Sequence, residues 1–192
     1  MKKIFAFLTI AALTVSTVIA QSTWKVDKAH ARLQFTITHL AISDVDGFFK
    51  DFDVTIVSAK PDFSDAKITL VVQTASVNTD NNKRDTHLKS DEFFDVTKYP
   101  TMNFVSTSVT PTSAGHFKLV GNLTLHGVTK PVTMDLWHRA TIVNPQTQKE
   151  SAGFKVTGSI KRSDFNFGRG FRSPILGDEV TITANGEFGK AN

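Results

Sequence analysis

Arg32-Leu33-Gln34-Phe35-Thr36-Ile37-Thr38-His39 is the stretch that decides the fold, because every second residue changes character. Leu33, Phe35, Ile37 and His39 share one side, and Arg32, Gln34, Thr36 and Thr38 share the other. Successive side chains of a β-strand point to opposite faces, so this spacing describes a strand with one face buried and one in water. The same period returns along the chain. Phe48, Phe52, Val54 and Ile56 fall on one face, with Lys50 the exception. Ile68, Leu70 and Val72 oppose Lys67, Thr69 and Gln73, and Met102 and Phe104 face away from Asn103 and Val105. Phe117, Leu119, Leu123 and Leu125 oppose His116, Lys118, Asn122 and Thr124. Val132, Met134 and Leu136 oppose Thr133 and Asp135, while Phe154, Val156 and Ile160 oppose Lys155, Thr157 and Lys161. A last segment sets Val180, Ile182 and Ala184 against Thr181, Thr183 and Asn185.

These segments amount to about eight strands, the number that closes a small antiparallel barrel. Turn signals separate them at Pro61-Asp62, Thr112-Ser113-Ala114-Gly115, His126-Gly127 and Asn144-Pro145. A tight hairpin is expected between His126 and Lys130. A β-sandwich needs the same alternation, so periodicity leaves both architectures open. The one helical stretch is Asn81 to Asp95, with Asp80 as the expected N-cap. Asp85 and Lys89 are spaced to pair on an exposed face, and Arg84, His87 and Leu88 lie together on one side. Tyr99-Pro100 ends the stretch, because the residue before proline is pushed to extended geometry. Arg162 to Gly177 shows little alternation and reads as a long loop, a common carrier of function.

Lys2-Lys3, the apolar run Ile4 to Ile19 and the small-residue site Val18-Ile19-Ala20 read as a signal peptide over residues 1–20. The run is short for a membrane span, and no basic stop-transfer cluster follows it. The expected mature domain is 21–192, exported to the periplasm. Cleavage removes two lysines, which takes the formal net charge of +4 down to +2. So small a balance, with no basic stripe, argues against nucleic acid as a partner. Cysteine count is 0, which removes thiol chemistry, Cys-ligated zinc and lipoprotein anchoring. Phe, at 16 residues, dominates the aromatics and suits either a dry core or a lipid-lined cavity.

Catalytic patterns are missing from the sequence. His30, His39, His87, His116, His126 and His138 are scattered, with no His-x-x-x-His pair. There is no Gly-x-Ser-x-Gly elbow, and Gly168-Arg169-Gly170 lacks the lysine of a phosphate loop. The expectation is a binding protein with no cofactor and no metal. Its candidate lining is Leu33, Phe35, Ile37, Phe48, Phe52, Ile68, Leu70, Phe104, Leu123, Leu125, Met134 and Leu136. An ordinary packed core accounts for those residues equally well. Arg84, Asp85 and His87 either meet a ligand's polar head or hold the helix to the barrel through loop backbone. His39, at the end of an inward face, is a further polar candidate. Arg162, Arg169 and Arg172 form a second candidate group for phosphate.

Arg84-Asp85-Thr86-His87-Leu88 with Phe93-Phe94 and Tyr99-Pro100 resembles the YceI-like family of bacterial polyisoprenoid-binding, lipocalin-like proteins. Trp24, Asp27, His30, Phe35 and His39 agree with it, as do Gly121-Asn122-Leu123-Thr124-Leu125-His126-Gly127-Val128, Arg162-Ser163-Asp164-Phe165 and Gly177-Asp178-Glu179. Ala31 departs from it, standing where a small hydroxylated residue commonly follows the histidine. The resemblance implies an eight-stranded lipocalin-like barrel with a short helical insertion. It also implies a long-chain isoprenoid ligand, such as a polyprenyl phosphate or an isoprenoid quinone, carried in the periplasm. Fatty acids or fatty amides in the same cavity, and an enzyme acting on such ligands, are the alternatives. A homodimer follows by analogy alone.

Overall fold

The structure is a computed structural model that describes residues 20–191, so the expected signal segment lies outside the described residues apart from Ala20. The strands are β1 (Ser22–His39), β2 (Ser43–Phe49), β3 (Phe52–Ser58), β4 (Lys67–Gln73), β5 (Val77–Asn78), β6 (Thr101–Ser113), β7 (His116–Leu125), β8 (Val128–Val143), β9 (Glu150–Lys161) and β10 (Leu176–Lys190). The single α-helix among the described residues, α1, spans Asn82–Leu88. Neighbours in the sheet run β10-β9-β8-β7-β6-β4-β3-β1, and β1 pairs back onto β10. That closes an antiparallel barrel of the expected eight strands. Closure removes the exposed edges that an open sheet would leave.

Two short strands lie outside this ring. The long β1 pairs with β3 near its start, at Ser22–Lys25, and with β2 near its end, at Leu33–His39. Lys50 and Asp51 lie between β2 and β3 and leave the strand conformation. Two skipped residues with a bend change which parity faces inward. Phe49 is therefore buried, and Phe52 continues the inward row below it. Phe48 corrects the sequence reading: it faces outward, where the Arg32 guanidinium stacks on its ring at 4.0 Å. The apparent exception at Lys50 marked this break.

The tight hairpin expected between His126 and Lys130 is present, and its turn is His126 and Gly127 alone, since β8 already begins at Val128. Both residues are left-handed, at φ 51° and 74°, and Leu125 pairs directly with Val128. Two inward aromatic rings are seated over glycines of the neighbouring strand. Phe35 lies across from Gly47, and Phe104 covers Gly121. A Cβ at Gly47 would approach the Phe35 ring to 2.2 Å, so the missing side chain is what lets the ring lie there.

One end of the barrel is filled. Phe63, in the β3–β4 loop, is 1 % exposed and plugs that end. Its ring meets Trp24 at 5.4 Å, Phe154 at 4.9 Å and His138 at 4.7 Å. Burial among these rings pushes the His138 imidazole pKa down, and its backbone hydrogen bond with Ala140 partly offsets this. The plug loop is clamped by Asp65, whose carboxylate accepts from Ser58 Oγ at 2.6 Å, Ala59 N–H at 3.0 Å and Lys60 N–H at 3.2 Å. The Ser58 hydrogen bond leads these contacts in holding the Asp65 pKa below its ordinary value. A depressed carboxyl pKa means that this stabilisation is complete above the unfolded value and fades as pH falls through the folded one. Asp65→Asn is expected to lower the thermal midpoint at pH 7 and to flatten the acid limb of the stability profile below about pH 4. Melts from pH 2 to pH 7 on both proteins check this, and parallel acid limbs would contradict it.

Candidate functional site

The opposite end is hollow. A chamber of about 310 Å³ lies there, within the range of small-molecule sites. Its apolar wall includes Ile37, Val45, Phe94, Leu125 and Val180. Its polar lining comes from His39, Thr79, Arg84, His87 and Arg162. Deeper in the barrel lies a second chamber of about 150 Å³, lined by Leu33, Phe52, Ile68, Leu70, Phe104, Leu123, Met134 and Leu136 among others. Its lining is apolar apart from Arg32, Gln34 and Asn185. Phe35, Phe49, Met102, Ile160 and Ile182 border both chambers and form the neck between them. The result is a two-compartment tunnel, polar near its covered end and largely apolar within.

The cover has two halves. The first is α1 with the turns that follow it. Asn81 is the N-cap, its side chain accepting from Arg84 N–H at 3.0 Å, where the sequence reading had chosen Asp80. Asp80 instead takes a left-handed backbone, φ 56°. Asp85 does not pair with Lys89 on a wet face. It is 7 % exposed and accepts from Thr79 N–H at 2.8 Å and Thr79 Oγ1 at 2.6 Å. Arg84 grips the same residue: Nε donates to Thr79 Oγ1 and Nη2 to Thr79 O, both at 2.8 Å. Asp85 therefore fastens the helix and lines neither chamber, while Arg84 both fastens it and faces the outer chamber. The Nη1 end of Arg84 makes no hydrogen bond among the described residues. His87, on the same side as Arg84 and Leu88, meets Glu92 through Nε2 at 2.5 Å.

The second half is the loop from Arg162 to Ile175. Arg162 is 5 % exposed, and its N–H groups donate to the carbonyls of Phe167, Gly168, Phe171, Leu176 and Gly177. A guanidinium has five N–H donors, so this side chain is spent on the loop that surrounds it. Burial pushes its pKa down from the ordinary value, and Asp178 nearby opposes that. Arg169 and Arg172 are exposed on the same loop and do not line the chambers, so the three arginines do not converge on one phosphate site. Sequence reading saw three cations and could not see that one was already surrounded by carbonyls.

Aromatic rings seam the halves together. Phe93 stacks on Phe171 with centroids 5.1 Å apart, Phe94 meets Phe167 edge-on at 4.6 Å, and His87 lies 5.6 Å from Phe171. One backbone bond crosses the seam, from Gly168 N–H to Glu92 O at 3.1 Å. The Phe93-Phe94 pair stands out in the sequence as a motif, whereas its partners Phe167 and Phe171 do not. They sit in a loop without periodicity, so no pattern marked them as inward.

Residues 24–188 match the YceI-like domain. The chain belongs to the YceI-like family. UPF0312 protein SAS2572 of Staphylococcus aureus is 37 % identical over 166 residues, covering 84 % of this chain and 94 % of its own. The YCEI protein of Campylobacter jejuni, a solved structure, is 34 % identical with a TM-score of 0.74, covering 81 % of this chain and 90 % of its own. A polyisoprenoid binding domain from Saccharophagus degradans shares the fold at 16 % identity and a TM-score of 0.66, covering 90 % of this chain and all of its own. In this YceI-like chain, fourteen of the sixteen side chains expected at the site line one chamber or the other, the exceptions being Phe48 and Asp85.

Proposed function

We propose that this protein binds and carries a long-chain isoprenoid lipid, its tail in the inner chamber and its polar head under the cover. The observation that carries this reading is the tunnel itself. It pairs a largely apolar inner compartment with an outer one lined by Arg84, His87 and His39. Burying an apolar tail gains about 0.8 kcal/mol per methylene-sized group, less the cost of ordering it, so the wall supplies affinity without charge. The family membership and the fold shared with the polyisoprenoid binding domain of Saccharophagus degradans support the same ligand class. A carrier fits better than an enzyme because the one hydroxyl lining the outer chamber, Thr79 Oγ1, is committed to both Asp85 and Arg84. The mature protein is taken to be periplasmic and to start at Gln21.

Native mass spectrometry and lipid extraction of protein purified from its own host test the reading. The expected result is a prenyl lipid with a polar head on a chain that begins at Gln21. A bound fatty acid or fatty amide would favour the general amphiphile binder, and an empty protein that takes up no prenyl lipid would end the carrier reading.

Arg84→Ala and His87→Ala are expected to weaken a prenyl phosphate or quinone more than the matching bare hydrocarbon, by about tenfold. One charge-assisted hydrogen bond accounts for that factor. A hydrocarbon has no acceptor for these N–H groups. Titration of matched ligands alongside thermal melts separates this from scaffolding. Equal losses for both ligands, with a fall in melting temperature, would leave Arg84 as a clamp on Thr79 and His87 as a brace on Glu92.

A further inference from the structure

The hairpin joining β1 to β2 turns through Leu40-Ala41-Ile42 at the hollow end of the barrel. Ile42 N–H donates to His39 O at 3.2 Å and closes it. Leu40 and Ala41 are both left-handed, at φ 52° and 58°. Consecutive left-handed residues at a hairpin tip favour Asn and Gly, because a Cβ is crowded in that conformation. This turn carries apolar residues instead and holds them out. Ile42 is 83 % exposed and Leu40 47 %. Leu40 N–H also donates to Ile175 O at 3.1 Å, which ties the tip to the cover loop. Ile175 is 51 % exposed and lines the outer chamber, so the apolar rim runs into the chamber wall.

Cations accompany the rim. Arg172 is in the same turn as Ile175, whose N–H donates to Arg172 O at 2.9 Å, and Arg169 lies earlier in the loop. Both are exposed, and neither forms an ion pair among the described residues. Asp44, the nearest acid along the hairpin, is on the outer wall and accepts from Thr38 Oγ1 at 2.9 Å.

We propose that this rim docks the protein on an anionic lipid bilayer. Ile42 and Leu40 enter the boundary between headgroups and acyl chains, and Arg172 and Arg169 meet lipid phosphates. The chamber then faces the bilayer, and a prenyl lipid passes between them without crossing water. The proposal rests on the lipid-carrier reading and adds where loading takes place. A bilayer fits better than a protein partner, since a stable protein interface needs about 800 Å² per partner and this rim is a protruding tip of a few side chains. A small apolar tip beside cations is how peripheral proteins hold an anionic surface. The departure from turn-forming residues also has a use here, because Asn and Gly would have nothing to insert.

Vesicle flotation tests this on the full mature chain. The vesicles are phosphatidylcholine alone, or phosphatidylcholine with phosphatidylglycerol. The key variant is Leu40→Asn/Ala41→Gly/Ile42→Thr, which replaces the tip with residues suited to its backbone and touches no chamber-lining side chain. The wild type is expected on the anionic vesicles, and added salt should release it. The triple variant should partition at least tenfold more weakly while melting at the same or a higher temperature. Arg172→Gln should lose only the preference for anionic vesicles. Equal partition of wild type and triple variant, or a wild type that floats with neither vesicle, would overturn the proposal. So would a wild-type dimer that the triple variant splits without any vesicle binding, which would assign the rim to a second copy of the chain. Uptake of farnesyl phosphate added without vesicles is measured in parallel and should be equal in the two proteins. Failure of both to take it up would sink the carrier reading, while the flotation result would still decide the docking.

Discussion

Arg162→Ala lowers the thermal midpoint by about 10 °C and opens the outer chamber to water. The expected loss is about 3–5 kcal/mol, since a buried carbonyl left without a donor costs about 1–3 kcal/mol and large single-residue effects end near 5. A domain of this size moves by about 2–4 °C for each kcal/mol. Three carbonyls of the cover loop and two at the start of β10 accept from this one side chain, which draws Phe167, Phe171 and Leu176 to a common point. Arg162→Lys should recover little, because an ammonium is compact and has three donors against the planar five-donor fork. Calorimetry together with hydrogen exchange over residues 162–176 checks this. Exchange in the loop should rise more than in β9 or β10. A variant with unchanged melting and a protected loop would show that the aromatic seam alone holds the cover.

Phe35→Ala widens the neck between the two chambers and moves the preferred ligand toward longer tails. The Phe35 ring borders both chambers, rests over Gly47 and lies 5.9 Å from the ring of Phe49. Its removal is expected to cost about 3 kcal/mol of stability in the empty protein, the lower end for Phe→Ala because the ring is only partly buried. Bound lipid should restore part of that, since each further methylene-sized group buried gains about 0.8 kcal/mol before ordering losses. Phe35→Trp should do the reverse and confine ligands to the outer chamber. Gly47→Ala acts from the other side, because its Cβ would displace the same ring. Competition among prenyl phosphates of graded length, on all three variants, reads the result. An unchanged length profile would show that Phe35 does not gate the tunnel.

Strand periodicity found all eight ring strands, because one-sided burial writes a two-residue period into the chain. It also found a tight hairpin after Leu125 and a helical insertion, whose signals are local, although the helix ends at Leu88 and only turns continue to Asp95. Phe48 was misplaced for a reason that has physical content. A period tells parity within one strand, but the two residues Lys50 and Asp51 reset it between β2 and β3, and Lys50 on an otherwise apolar face shows that the pattern breaks without showing how the parity changes. Asp85 looked like half of a surface pair, since its spacing to Lys89 is visible in sequence while Thr79 becomes its partner only when the chain turns back.

By itself, then, the sequence determined what is set by neighbours along the chain: the strands, the hairpin, the helical insertion and an inward row of Phe, Leu, Ile and Met. Whether that row filled the barrel or lined a space was open, because a packed core and a chamber wall have the same alternation. Only the tertiary structure decided it. Phe63 plugs one end, and the cover built around Arg162 spans the other without filling it. The left-over volume depends on how far apart the walls stand and where each ring comes to rest. Those are properties of closure, set by contacts between residues distant in sequence, and no stretch of the chain encodes them alone.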